Sequence, residues 1–90
     1  MIKIVWDAPF KQSYKKKIGS NEIMKTKFWK AINIFEQNPY DARLKTHKLT
    51  GKLNGLYAFS VGYEFRVIFK FIENNKAVLL IDIGTHDEVY

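Results

Sequence analysis

The sequence predicts a small α+β protein with an N-terminal strand, two helices and a C-terminal antiparallel β-meander. Three observations lead to this prediction. After one short alternating segment, the apolar residues of the first half recur at helical spacing. The last 35 residues contain three β-rich runs with turn signals between them. Ninety residues, 47% of them hydrophobic, suit a single domain spanning residues 1–90.

The first half begins with a strand, because apolar and other residues alternate along Met1–Trp6. Asp7 can cap a helix that ends at Gly19, since its carboxylate can accept free amides of the first turn. A second helix is predicted from about Asn21–Gln37, with Ser20 as its candidate cap.

The second half begins with residues 40–54, which are polar and basic and indicate a surface loop. Three strands are predicted at Leu56–Val61, Phe65–Ile72 and Ala77–Ile83, the last two joined by a turn at Glu73–Lys76. They form an open sheet that the helices cover on one face. Four apolar side chains are expected in one core, namely Phe28, Phe35, Phe69 and Leu79.

Charge is distributed unevenly along the chain, whose formal net charge is +6. Residues 1–54 carry twelve Lys or Arg and four Asp or Glu, whereas residues 55–90 carry three and five. A basic first half indicates a polyanionic partner such as RNA. The alternative is a lysine-rich surface that is merely solvated.

Several classes of protein are disfavoured by what the sequence lacks. It has no cysteine, which rules out a disulfide scaffold and a thiolate metal site. Its two histidines do not form a metal-ligand motif, so neither a metal nor another cofactor is expected. No segment has the length of a signal peptide or membrane span, and we expect a cytoplasmic protein with no membrane partner.

Arg66 is the most informative charged residue, because it lies near the start of an otherwise apolar predicted strand. Strand alternation places Glu64, Arg66 and Ile68 on one face. The guanidinium could bind a phosphate beside the Glu64 carboxylate, or the two could form a structural ion pair. His47 in the basic loop and His86 after the last strand are further candidates, although each alone is more often an ordinary surface residue.

Three segments resemble toxins of the RelE/ParE superfamily. Leu44–Leu56 resembles the stretch before the second strand of these toxins, and Tyr63–Phe69 resembles their arginine-bearing central strand. The ending Ile83–Tyr90 is similar to the YafQ-like branch, in which Gly-Thr-His and a terminal aromatic residue occur. The resemblance covers nearly the whole chain and also implies the order of elements predicted above.

The resemblance implies the toxin of a type II toxin–antitoxin pair, which cleaves messenger RNA in the ribosomal A site without metal. It matches Arg66 to the arginine that binds the scissile phosphate, His86 to the histidine of the YafQ-like branch and Tyr90 to the C-terminal aromatic residue near the RNA. As a histidine, His86 suits the role of the acid that protonates the leaving oxygen. His47 matches the histidine of the basic loop. The expected partners are the messenger and a cognate acidic antitoxin. Residues that could bind flanking phosphates or stack on a base are Arg43, Lys45, Lys48, Lys52 and Phe65.

The general base stays open, because this chain has Ser60 where the YafQ-like pattern has a second histidine. Glu64 and His47 are both candidates. Two other functions also stay open: a ParE-like inhibitor that binds DNA gyrase without catalysis, and a nucleic-acid-binding module without chemistry. The acid–base groups at the end of the sheet favour the RNase.

Overall fold

A computed structural model describes all 90 residues of the chain. The strands are β1 (Lys3–Trp6), β2 (His47–Lys48), β3 (Tyr57–Val61), β4 (Phe65–Ile72) and β5 (Ala77–Thr85), and the helices are α1 (Ala8–Lys17), α2 (Glu22–Gln37) and α3 (His86–Val89). The predicted α+β order of strand, two helices and meander is confirmed. None of the helices is both long and apolar enough to cross a membrane.

The two long helices begin at side-chain caps. The Asp7 carboxylate accepts the amide of Phe10 at 3.0 Å, as predicted. The cap of α2 is Asn21, whose side chain accepts the amide of Met24 at 3.0 Å, and the prediction of Ser20 is wrong. Each cap satisfies an amide that the first helical turn leaves free.

The five strands form one mixed sheet in the order β1-β5-β4-β3-β2. Strand β1 pairs with β5 in parallel, and every other neighbouring pair is antiparallel. A parallel partner needs a crossover connection, which here contains both long helices. Strand β4, which carries Arg66, therefore lies in the middle of the sheet.

Fifteen buried residues form the main core between the helices and one face of the sheet. Phe28, Phe35 and Phe69 belong to it, as predicted. Leu79 is only half-buried, and Leu80 is fully buried in its place. In this part of β5, the side chains that face the main core are therefore one position away from those predicted.

A bulge then changes the alternation of β5. Ile68 pairs with Asp82 and Phe69 pairs with Leu80, which leaves Ile81 as the extra residue on β5. Beyond this bulge the strand continues to Thr85, two residues further than predicted.

The opposite face of the sheet is not left open. Leu49, Ala58 and Ile68 form a second, smaller cluster there, with Val89 packed against it. Residues 40–54 were predicted as a plain loop, but they contain β2 and two short 3-10 turns, Ala42–Leu44 and Gly51–Leu53. Within the basic segment, residues 40–54, Leu44 packs into the main core, whereas Leu49 and the residues of α3 cover the face of the sheet that the long helices leave free.

Candidate functional site

The last residues of the chain form a short, fully capped helix. The Thr85 hydroxyl accepts the amide of Glu88 at 3.3 Å, and the Glu88 carboxylate accepts the amide of Thr85 at 2.8 Å. This reciprocal pair is a capping box. The hydrogen bond from the Thr85 amide is the main reason why the pKa of Glu88 lies below its usual value. Asp87 and Glu88 both belong to α3.

Gly84 allows α3 to fold back closely onto the sheet. A Cβ atom at this position would lie 3.0 Å from Cγ1 of Val89 and 3.1 Å from Cβ of Glu88. The sequence Gly84-Thr85-His86 therefore has a physical explanation. The glycine permits the close approach, the threonine caps the helix, and the histidine takes the first helical position.

Tyr90 lies between the two histidines of the chain. Its ring meets the ring of His86 edge to face, with centroids 4.5 Å apart, and its amide donates to the His86 carbonyl at 3.1 Å. Its hydroxyl lies 3.5 Å from Nε2 of His47, a long hydrogen bond. Partial burial raises the pKa of Tyr90 above its usual value, with an opposing effect from the charge of Arg66. The structure thus brings His47, His86 and Tyr90 together, and Arg66 is close enough for its charge to act on Tyr90.

The orientation of His47 is fixed by the backbone. Its Nδ1 lies 3.0 Å from the carbonyl oxygen of Lys45, a residue in the left-handed region with φ 53°. A carbonyl can only accept a hydrogen bond, so Nδ1 carries the proton. In the neutral ring, Nε2 is then unprotonated and faces Tyr90.

Arg66 lies on β4, where it pairs with Ser60 of β3 on one side and with Gly84 of β5 on the other. Its Nη1 donates to the carbonyl of Phe65 at 3.1 Å and to that of Tyr63 at 3.3 Å. These bonds hold the guanidinium against the β3–β4 turn and leave its other donors free.

Glu64 is placed differently from the sequence prediction. It lies in the β3–β4 turn rather than in the strand, and its carboxylate is 3.8 Å from Nζ of Lys27 on α2. The alternative of an ion pair between Glu64 and Arg66 is wrong, because the turn directs Glu64 towards Lys27 on α2.

The predicted phosphate-binding residues are spread over the exposed basic segment. Lys48 is exposed on β2, and Lys52 shares a cleft of about 350 Å³ with Tyr90. Arg43 makes a bidentate pair with Asp41 at 2.9 and 3.0 Å, which lowers the pKa of Asp41 to about 2. The structure contains no group of three or more histidine or acidic side chains that could hold a metal ion.

Two features of the site escaped the sequence prediction. The motif Thr85-x-x-Glu88 before the chain end is the signature of a capping box and could have predicted α3. Phe65 was predicted to stack on RNA, yet it packs against the main core, on the helix side of the sheet. Tyr63, which was not singled out, is instead the most exposed aromatic side chain near Arg66.

Solved structures share this fold. They include a YoeB/ParE toxin from Agrobacterium tumefaciens (19% identity, 94% of this chain and 99% of that one, TM-score 0.77). YafQ from E. coli strain BL21(DE3) has 18% identity over 100% of this chain and 99% of its own, with a TM-score of 0.73. A YoeB–YefM toxin–antitoxin complex from Staphylococcus aureus contains a chain with 18% identity (96% and 98% covered, TM-score 0.72). Among curated proteins, none matches the sequence.

The likeness to these structures shows that the chain has their fold. The family model described as "Bacterial toxin of type II toxin-antitoxin system, YafQ" matches residues 2–90. This chain belongs to the YafQ family of type II toxins. The resemblance to YafQ-like toxins that was inferred from the sequence is therefore confirmed for the family.

Proposed function

We propose that this toxin is a metal-independent endoribonuclease that cleaves messenger RNA in the ribosomal A site and therefore acts in the cytoplasm. The observation that carries the proposal is the grouping of two imidazoles, a tyrosine and an arginine on the face of the sheet opposite the long helices. RNA supplies its own nucleophile, the 2′-hydroxyl, so this set of side chains is sufficient for the chemistry.

His47 is the proposed general base. Its Nδ1 proton is held by the Lys45 carbonyl, so the unprotonated Nε2, which makes only a long contact with the Tyr90 hydroxyl, can take the proton of the 2′-hydroxyl. The 2′-oxygen then attacks the adjacent phosphorus. Glu64 is the weaker candidate, because its carboxylate is paired with Lys27 towards the helices.

Arg66 and His86 complete the proposed reaction. The guanidinium of Arg66 stabilises the added negative charge of the pentacoordinate phosphate through its free donors. His86 is exposed at the start of α3 and protonates the departing 5′-oxygen. The bond to that oxygen breaks, and the products carry a 2′,3′-cyclic phosphate and a 5′-hydroxyl. Tyr90 holds the two imidazoles on either side of the reacting group.

An acidic antitoxin is the proposed protein partner. The chain belongs to a toxin–antitoxin family, and a structural neighbour is complexed with its antitoxin. The first 54 residues carry twelve basic and four acidic side chains, which favours an acidic partner.

The test is cleavage of a messenger on programmed ribosomes, with the ends of the fragments identified. We expect Arg66→Ala to reduce the rate by ~10²–10³ and His86→Ala by ~10²–10⁴. Lys70→Ala is the matched control for lost charge, because Lys70 is exposed on the same strand, roughly 13 Å from Arg66. A 2′-deoxynucleotide at the cleaved position should abolish the reaction.

Products with a 3′-hydroxyl and a 5′-phosphate, or cleavage at a 2′-deoxynucleotide, would contradict the mechanism. A toxin that leaves messenger RNA intact and traps DNA gyrase would instead be a ParE-like inhibitor.

A further inference from the structure

Tyr63 lies at the tip of the β3–β4 turn and is 88% exposed. Gly62, with φ 62°, precedes it in this turn. The Tyr63 carbonyl accepts a hydrogen bond from Nη1 of Arg66 at 3.3 Å. The turn that presents the ring is therefore tied directly to the guanidinium of the site.

A basic cleft lies beside this ring. It has a volume of about 240 Å³ and is lined by Arg43, Lys45, Ser60, Gly62, Tyr63 and Arg66. Three of the six lining residues are cationic and none is acidic. Nζ of Lys45 is 5.9 Å from the centre of the Tyr63 ring, which places an ammonium group next to the aromatic surface.

Arg43 supplies this cleft with hydrogen-bond donors of fixed direction but with little net charge. Asp41 occupies its Nε and one proton of Nη2, and the carboxylate neutralises the guanidinium. Donors on Nη1 and Nη2 stay available, and the bidentate pair fixes their direction. The uncompensated charges of the cleft are those of Lys45 and Arg66.

We propose that this cleft is a nucleotide subsite next to the scissile phosphate, in which an unpaired base stacks on Tyr63. The phosphate of that nucleotide binds between Lys45 and Arg66. An exposed ring beside cations is the arrangement by which proteins hold single strands without reading their sequence. The inference rests on the proposed RNase function, because it places the neighbouring nucleotide relative to the phosphate bound by Arg66. An acidic peptide fits less well, since its charged side chains carry no aromatic ring that could stack on Tyr63.

The experiment measures binding of a fluorescent single-stranded RNA with 2′-deoxyribose at the cleaved nucleotide, both free and in the A site of ribosomes. We expect Tyr63→Ala to weaken binding about 5- to 150-fold, and Tyr63→Phe to restore it. The dependence of binding on salt should not change in Tyr63→Ala, because no charge is lost. Lys45→Gln should reduce the slope of log affinity against log salt by about 0.7.

Tyr40→Ala is the matched control. Tyr40 is also an exposed tyrosine, but it stacks on Phe71, away from Arg66, and its replacement should leave RNA affinity unchanged.

Two failures can be told apart. If the wild-type protein binds no RNA in either setting, the proposed function is wrong and this subsite with it. If Arg66→Ala weakens RNA binding but Tyr63→Ala does not, only the subsite is wrong. Loss of antitoxin binding in Tyr63→Ala, with RNA binding intact, would overturn the subsite in favour of a peptide site.

Discussion

The cap of α3 offers a direct test of how the candidate site is held together. Thr85→Val keeps the shape of the side chain and removes the hydroxyl that accepts the Glu88 amide. Helix α3 has four residues and no fully buried side chain, so little else compensates for the loss. Losing such a cap costs about 0.5–2 kcal/mol. The ratio of docked to undocked α3 should then fall about 2- to 30-fold.

We expect RNA cleavage to fall by up to that factor, because His86 and Tyr90 are both carried by this segment. The melting temperature should change little, since the main core is untouched. Cleavage on programmed ribosomes and the backbone NMR order of residues 86–90 measure the two effects. Thr26→Val is the matched control, because it removes a threonine hydroxyl bonded within α2 instead.

Two results would refute this reasoning. If residues 86–90 stay as rigid as in the wild type, the capping box does not hold the segment. If they loosen while cleavage keeps its wild-type rate, the position of α3 does not determine activity.

Three further predictions concern the core, a surface pair and the terminal ring. In urea titrations, Leu80→Ala should lower the free energy of unfolding by about 2–5 kcal/mol, and Leu79→Ala should lower it by clearly less. The reason is that only the Leu80 side chain is fully buried. Equal losses would contradict the assignment of Leu80 to the core-facing side of β5. The pKa of Asp41 is about 2 because Arg43 hydrogen-bonds to its carboxylate, so its stabilising effect should be complete above its usual pKa of 3.8 and disappear as the pH falls through about 2. An NMR titration of the carboxyl carbon checks this, and an ordinary titration midpoint would disprove it. Tyr90→Phe should retain most of the cleavage rate that Tyr90→Ala loses. The ring of Tyr90 packs against the imidazole of His86, while its hydroxyl makes only a long contact with His47. Equal cleavage rates for the two variants would contradict a role for the ring.

Local patterns were sufficient to predict most elements of the fold. Asp7 caps α1 as expected, and β4 has the predicted bounds of Phe65–Ile72. Such features depend on a few neighbouring residues. Leu79 was misplaced because apolar residues occupy almost every position of β5, so that periodicity alone does not fix which ones face the core.

Only part of the candidate site could be predicted from the sequence in the same way. His47, His86 and Arg66 could be selected by residue type and by resemblance, but their proximity depends on how the basic segment folds over the sheet. Glu64 was misassigned because a turn residue does not follow strand alternation. The role of Tyr63 depends on the bond that its carbonyl accepts from Arg66, which no sequence pattern reveals.

None of the proposed catalytic side chains belongs to the fifteen-residue core. Under the proposed mechanism, the residues needed for toxicity are therefore largely separate from the residues needed for folding. On that mechanism we expect one surface substitution to abolish toxicity without unfolding the protein, whereas loss of the fold requires a change in the phenylalanine-rich core. Selection against a harmful toxin should thus remove activity first, and lineages should accumulate harmless copies whose sheet and helices are intact.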